Sequence, residues 1–216
     1  MCQNSGMTAE LSTRSYRGQS QEQRRADRRA RLIAAALAVY GERGYQGATV
    51  KGICEAAGLT ERYFYESFVN SEALLIDCFH LVTARVMDDI VRAGEAAGRG
   101  NVARSRAMLH AYFSALQRES RMARVFLVEI RGVSRAVDAA FETSLRAIGQ
   151  EVARLVAPAE AVQDELLQAG VVGGVISIAL RWIENGYQPP VEQAVDSALR
   201  LGTVLAKPPR KARAAG

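Results

Sequence analysis

Two short helices closed tightly on each other are written into residues 49–68, and they limit this chain more than any other feature does. Val50, Ile53, Cys54 and Ala57 fall at i, i+3, i+4 and i+7, one apolar stripe at the helical period. Gly58 then supplies the left-handed residue that ends a helix, and Leu59 follows as the buried residue of the turn. Thr60 is a good N-cap, and Glu61 puts a carboxylate in the first turn, where the helix dipole favours it. Phe64 and Phe68 form the buried pair of the second helix, which leaves Glu61, Arg62, Tyr63 and Tyr65 pointing outward. A helix, a short turn containing Gly and a second helix with a polar, aromatic outer face make a helix-turn-helix. The same spacing would also serve an ordinary two-helix corner of an all-α protein.

The neighbours decide between these readings. Upstream, Ile33, Ala36, Leu37 and Tyr40 repeat the stripe in a helix that ends at Gly44; downstream, Asn70 caps a further helix that begins Ser71-Glu72-Ala73-Leu74-Leu75. The run resembles the DNA-binding domain of TetR-family transcriptional regulators. The matching residues are Ala35-Ala36-Leu37, Gly44-Tyr45, Thr49, Ile53, Ala57-Gly58-Leu59-Thr60, Phe64-Tyr65, Phe68 and Glu72-Ala73-Leu74-Leu75, within residues 28–76. The resemblance implies a homodimeric regulator, a repressor released from a palindromic operator by a small effector bound in its C-terminal domain. It places Lys51 at a position that meets DNA, and the second helix in the major groove. Arg62 and Tyr63 project from that helix's first turn with Tyr65 following, Arg being suited to guanine and Glu61 to cytosine. Thr49, Thr60, Asn70 and Ser71 complete the expected DNA-facing set. Related proteins usually carry Lys where Ser71 stands and often His near Ser67, so two phosphate-contacting groups are reduced to hydroxyls here.

Charge agrees with that placement. Residues 1–70 carry ten Arg/Lys against seven Asp/Glu, residues 207–216 carry four basic and no acidic ones, and residues 71–206 carry fourteen against sixteen. Arg24, Arg25, Arg28, Arg29 and Arg31 lead into the first helix, either as a phosphate-binding arm or as a solvated basic face. The Ser- and Gln-rich residues 1–23 and the basic tail 207–216 are expected to be disordered. Residues 24–70 are expected to form the DNA-binding domain and 71–206 the ligand-binding and dimerisation domain. The 216 residues leave room for both cores. No unbroken run of 18 apolar residues and no apolar leader core occur, which suggests a cytoplasmic protein without a membrane span. Cys2, Cys54 and Cys78 are odd in number and lack metal or disulfide spacing, which suits a reducing compartment.

The rest of the chain reads as helices throughout, about nine in all, so the fold class is all-α. Residues 166–183 are apolar almost all the way round, and a helix apolar on every face must be buried on every face. One face suits its own domain and the other a second copy. Gly170, Gly174, Val175 and Ile178, with Val195 and Leu199 of the last helix, are the expected dimer residues, in a four-helix bundle across a two-fold axis. Phe79, Val82, Met108, Tyr112, Phe126, Phe141, Leu145, Ile176 and Trp182 could line an apolar effector pocket or simply form core. Nothing points to an enzyme, cofactor or metal. His80 and His110 sit singly on helices, and Asp88-Asp89 and Asp164-Glu165 are neighbours on solvated faces, not facing carboxylates. The rival from another class is a helical adaptor that has lost DNA binding.

Overall fold

Ser20 starts the first helix, earlier than the composition suggests. Its hydroxyl accepts from the backbone N–H of Gln23 while the Gln23 side chain accepts from the N–H of Ser20, a reciprocal capping box. The boundary expected at 23 therefore moves back to 20, and the five arginines lie on the helix instead of leading into it. The computed structural model describes residues 20–98, 100–156 and 164–205; the rest of the chain, including both tails, and the side chains of Phe126 and of residues 202–205 lie outside the described residues. Among the described residues there are nine α-helices and no strand: α1 (Gln21–Arg43), α2 (Val50–Ala57), α3 (Glu61–Ser67), α4 (Ser71–Ala96), α5 (Asn101–Arg118), α6 (Ser120–Arg124), α7 (Arg135–Val156), α8 (Glu165–Glu184) and α9 (Val191–Leu205). A single π turn, Val125–Glu129, continues α6.

Local chemistry sets these boundaries. Thr49, Asn70 and Asp164 each accept a backbone N–H three residues on, at 3.1, 2.8 and 2.9 Å, which satisfies an amide the helix start would leave orphaned. Gly58 closes α2 at φ 62°, ψ 38°, the left-handed cap its position suggested. Thr60 departs from expectation. Its backbone is extended as an N-cap should be, but its hydroxyl makes no capping bond.

α1 packs on α2, α3 and α4, and the long α4 runs from this three-helix head into the second half, where it meets α5 and α7. α5 lies against α9, and α8 against α7 and α9. The core is continuous. Leu32, Tyr40, Ile53, Phe64 and Leu75 fill the head, and Phe79, Phe113, Leu116, Leu127, Ile130 and Trp182 fill the bundle. Phe64 is fully buried 5.8 Å from the ring of Phe68, so truncating it to Ala would cost about 3–5 kcal/mol.

Two dimer expectations are corrected here. Val195 is 1% exposed because α9 turns its apolar stripe onto its own chain. Gly174 also serves the inside: a Cβ there would strike Leu201 of α9, so the missing side chain lets α8 and α9 approach within one chain. Gly170 and Gly173 instead face open space, with Leu166 88% exposed on the same helix. The buried side of α8 carries Gln168, Ile176, Ala179 and Trp182. The helix is long and apolar enough to cross a membrane by length and composition, which a search for an unbroken apolar run missed, yet only 17% of its most apolar stretch is buried within the chain.

Candidate nucleic-acid interface

α3 has seven residues and cannot hold itself in place by its own hydrogen bonds. Its position comes from α1. Arg25 donates to the carbonyl of Glu66 at 3.1 Å and Arg29 to that of Ser67 at 2.7 Å, which satisfies the orphan carbonyls at the end of α3. Positive charge there also complements the negative end of the helix dipole. Arg29 pairs with Asp77 of α4 and lies over the ring of Phe68 at 4.4 Å. Arg31 does the same for α2, donating to the carbonyl of Ala57 at 2.7 Å. The arginines read from sequence as a phosphate arm or solvated face are, for the most part, an internal brace. Arg24 has no partner among the described residues and stays exposed.

Arg28 is also engaged within the chain. It stacks over Tyr63 at 4.6 Å and faces the carboxylate of Glu66 at 3.8 Å, with its own side chain 22% exposed. It touches the recognition helix instead of pointing away from the protein.

The outward residues of α3 are where the spacing put them: Glu61, Arg62, Tyr63 and Tyr65 are all exposed, and the Arg62 side chain is 84% open to solvent. Lys51 is exposed on α2, loosely paired with Glu55 at 4.0 Å. Thr60 is exposed, its hydroxyl free of any capping bond. Thr49 and Asn70 spend their side-chain oxygens on caps, and the Ser71 hydroxyl lies 3.1 Å from that of Tyr45. Sequence reasoning overlooked Glu66. It accepts from Nε of Arg62 at 3.0 Å, and its spacing of four from Arg62 was the available signal. Cys54 and Cys78 are buried as expected; burial, then the neighbouring Asp77, pushes the Cys78 thiol up to about 12, so it is inert at neutral pH.

A second feature joins this head to the bundle. The Glu129 carboxylate, at the end of the π turn, accepts the backbone N–H of Tyr45 at 2.7 Å and Nε of Arg124 at 2.7 Å, with its side chain 10% exposed. Gly44 makes room for it: at φ 75° it favours glycine, and a Cβ would come within 3.0 Å of Arg124. One turn earlier a Cβ on Gly41 would meet the Cβ of Arg121 at 2.6 Å, and Arg121 pairs with Glu42 at 3.2 Å. Two glycines, the Arg121–Glu42 pair and the Tyr45 N–H bond to Glu129 thus seat the end of α1 on α6 and the π turn, and π turns occur often at functional sites.

The expected effector residues are mostly packed against one another. Phe79 and Phe141 have ring centroids 5.7 Å apart, Phe113 meets Trp182 edge-on at 5.5 Å, and Met108, Tyr112 and Ile176 are buried, with Leu145 half-buried. Among the described side chains of that set, Val82 alone borders the cleft of about 310 Å³ between α4, α5 and α6. Its lining includes Val86, Leu116 and Met122 and, at the rim, Arg85, Arg92 and Arg118 with Asp88, Asp89 and Glu119, Asp89 pairing with Arg92 and Arg118. Among the described residues no cluster of three or more His, Cys, Asp or Glu is arranged to hold a metal.

A braced recognition helix behind a glycine turn, with an exposed Arg/Tyr crown, defines a helix-turn-helix DNA-binding protein. Residues 32–78 match the family model of bacterial regulatory proteins, tetR family. It is 24% identical over 183 residues, 82% of each chain, to the HTH-type transcriptional activator FasR of Mycolicibacterium smegmatis. The fold superposes on the fatty acid degradation regulator FadR of Bacillus halodurans with a TM-score of 0.69 at 20% identity, covering 83% of this chain and 95% of that one. It also matches FadR of Thermus thermophilus, a TetR-family transcriptional repressor solved with lauroyl-CoA, with a TM-score of 0.63 at 24% identity, covering 87% and 99%.

Proposed function

We propose that the protein is a homodimeric, cytoplasmic repressor that leaves a palindromic operator when its bundle binds a small amphipathic effector, and that it has no enzymatic activity. The observation that carries the reading is the bracing of α3, because rigidity of the reading head is what base readout needs and a mere helix corner does not. Residues 20–70 act as the DNA-binding unit and 71–205 as the effector and dimer unit. One helix-turn-helix makes few base contacts, so two copies must read two half-sites about 34–36 Å apart. The second copy covers the open side of α8 around Leu166, Gly170 and Gly173, which water would otherwise cover at a hydrophobic cost.

An acyl thioester suits the effector role: its apolar chain matches the apolar lining of the α4–α5–α6 cleft, and its anionic end would take Arg92 and Arg118 from Asp89 at the rim. The lauroyl-CoA in the Thermus thermophilus structure supports that choice of probe. Binding beside α6 would shift the π turn and, through Glu129, the seat of α1. The test is a mobility shift with fragmented genomic DNA at rising salt, then with lauroyl-CoA added. Sequence-selective shifts that collapse with lauroyl-CoA are expected. Salt-insensitive retention, or no shift at all, would favour the adaptor reading. A selective shift that lauroyl-CoA leaves intact would refute that effector class alone.

A further inference from the structure

α3 is acidic. It carries Glu61 and Glu66 against the single cation Arg62, although it faces a polyanion in the reading proposed above. At 3.6 residues per turn, Glu66 sits about 200° round the axis from the buried Phe64, so it lies at the crown of the outward face beside Arg62. A carboxylate there repels every duplex alike, and a solvated helix face could have placed it anywhere else.

Its contacts give it a use. Glu66 takes Nε of Arg62 at 3.0 Å and stands 3.8 Å from a terminal nitrogen of Arg28. Arg28 is itself stacked over Tyr63 at 4.6 Å, and its Nε is buried with no hydrogen-bond partner among the described residues. Because Glu66 occupies only Nε, the two terminal nitrogens of Arg62 carry no partner among the described residues. Those are the nitrogens that can address the O6 and N7 edge of a guanine as a pair. Resting on the DNA-reading function, we infer that Glu66 is a positioning residue that sets sequence specificity. It holds the Arg62 fork along the helix with its paired nitrogens forward, and its charge disfavours any duplex in which Arg62 finds no guanine to offset the repulsion. A phosphate cannot use the site as well, since it must approach the carboxylate without the compensating base contact.

The test uses the full chain and two 30-base-pair duplexes: one selected by the wild-type protein from a random pool, the other a shuffle of the same bases. Glu66→Gln keeps the shape of the side chain and removes its charge. The ratio of affinities for the two duplexes is expected to fall by about ten-fold, the low end of what one bidentate base contact contributes. The fall should come partly from tighter binding to the shuffled duplex. Arg62→Ala should lower the ratio as well, and adding Glu66→Gln to it should change the ratio no further. Replacing operator guanines singly by 7-deazaguanine, which removes N7, should weaken wild type at one position and leave Glu66→Gln indifferent there. An unchanged ratio in Glu66→Gln overturns the inference and leaves the DNA-reading function standing. A further fall in the double variant also overturns it, because Glu66 would then contact the base itself. If wild type selects no sequence from the pool, the DNA-reading function fails and the inference with it.

Discussion

α3 and α8 are opposite solutions to being a helix. α3 is seven residues long and mostly polar, and the rest of its own chain holds it on three sides: Phe64 and Phe68 inward, Arg25 and Arg29 on its last carbonyls, Arg28 against Tyr63. α8 is twenty residues long and strongly apolar, yet much of its outer side meets nothing among the described residues. The short polar helix is braced within one copy; the long apolar one keeps an exposed side. The difference teaches where each part of the function resides. Reading DNA requires a surface that stays exposed and must therefore be rigid by internal bracing, whereas an apolar face such as that of α8 would gain stability if another surface removed it from water.

The largest test of that contrast is Gly173→Glu. Gly173 faces open space, so the substitution strains nothing within the chain, and replacing a mid-helix Gly favours the helix by up to about 1 kcal/mol. At a two-fold seam it would bury an unpaired carboxylate in each copy, a cost of about 3–5 kcal/mol or more. Sedimentation should show monomer, operator binding should be lost, and the thermal midpoint of the monomer should not fall. A tight dimer would move the seam off this side of α8.

Glu129→Ala tests whether the braced head and the bundle communicate. It leaves the buried N–H of Tyr45 unsatisfied, so urea denaturation should show a loss of about 1–3 kcal/mol. DNA binding should survive while its response to lauroyl-CoA weakens. A variant that responds as wild type does would assign the signal to another contact.

Gly174→Leu makes the contrast sharper because it lies next to Gly173 and should do the reverse. Its side chain would collide with Leu201 in the same chain, lowering stability by about 1–3 kcal/mol without dissociating the dimer. Dissociation with unchanged stability would show that position 174, and not 173, lies at the seam.

Ser71→Lys is the smallest. It replaces the hydroxyl that meets Tyr45 with a cation at the head of α4, and should raise affinity for all duplexes while steepening the salt dependence by about one counterion. An unchanged slope would place residue 71 away from the phosphates.

The sequence by itself determined the head. Caps, the turn glycine and stripe spacing act over three to seven residues, so Thr49, Gly58, Phe64, Phe68 and Asn70 could be placed by counting, and the outward set Glu61, Arg62, Tyr63 and Tyr65 followed. The all-α class and the number of helices were legible for the same reason. What counting could not reach were pairings between residues far apart along the chain. Arg25 and Arg29 look like part of a phosphate arm until α3 folds across them and presents its carbonyls. Gly174 looks like a seam until α9 returns beside it, and nothing in the order of residues joins Glu129 to the end of α1. Only the tertiary structure decided these, because a charge or a missing side chain takes its meaning from what lies within a few ångströms, and the order of residues does not record that distance.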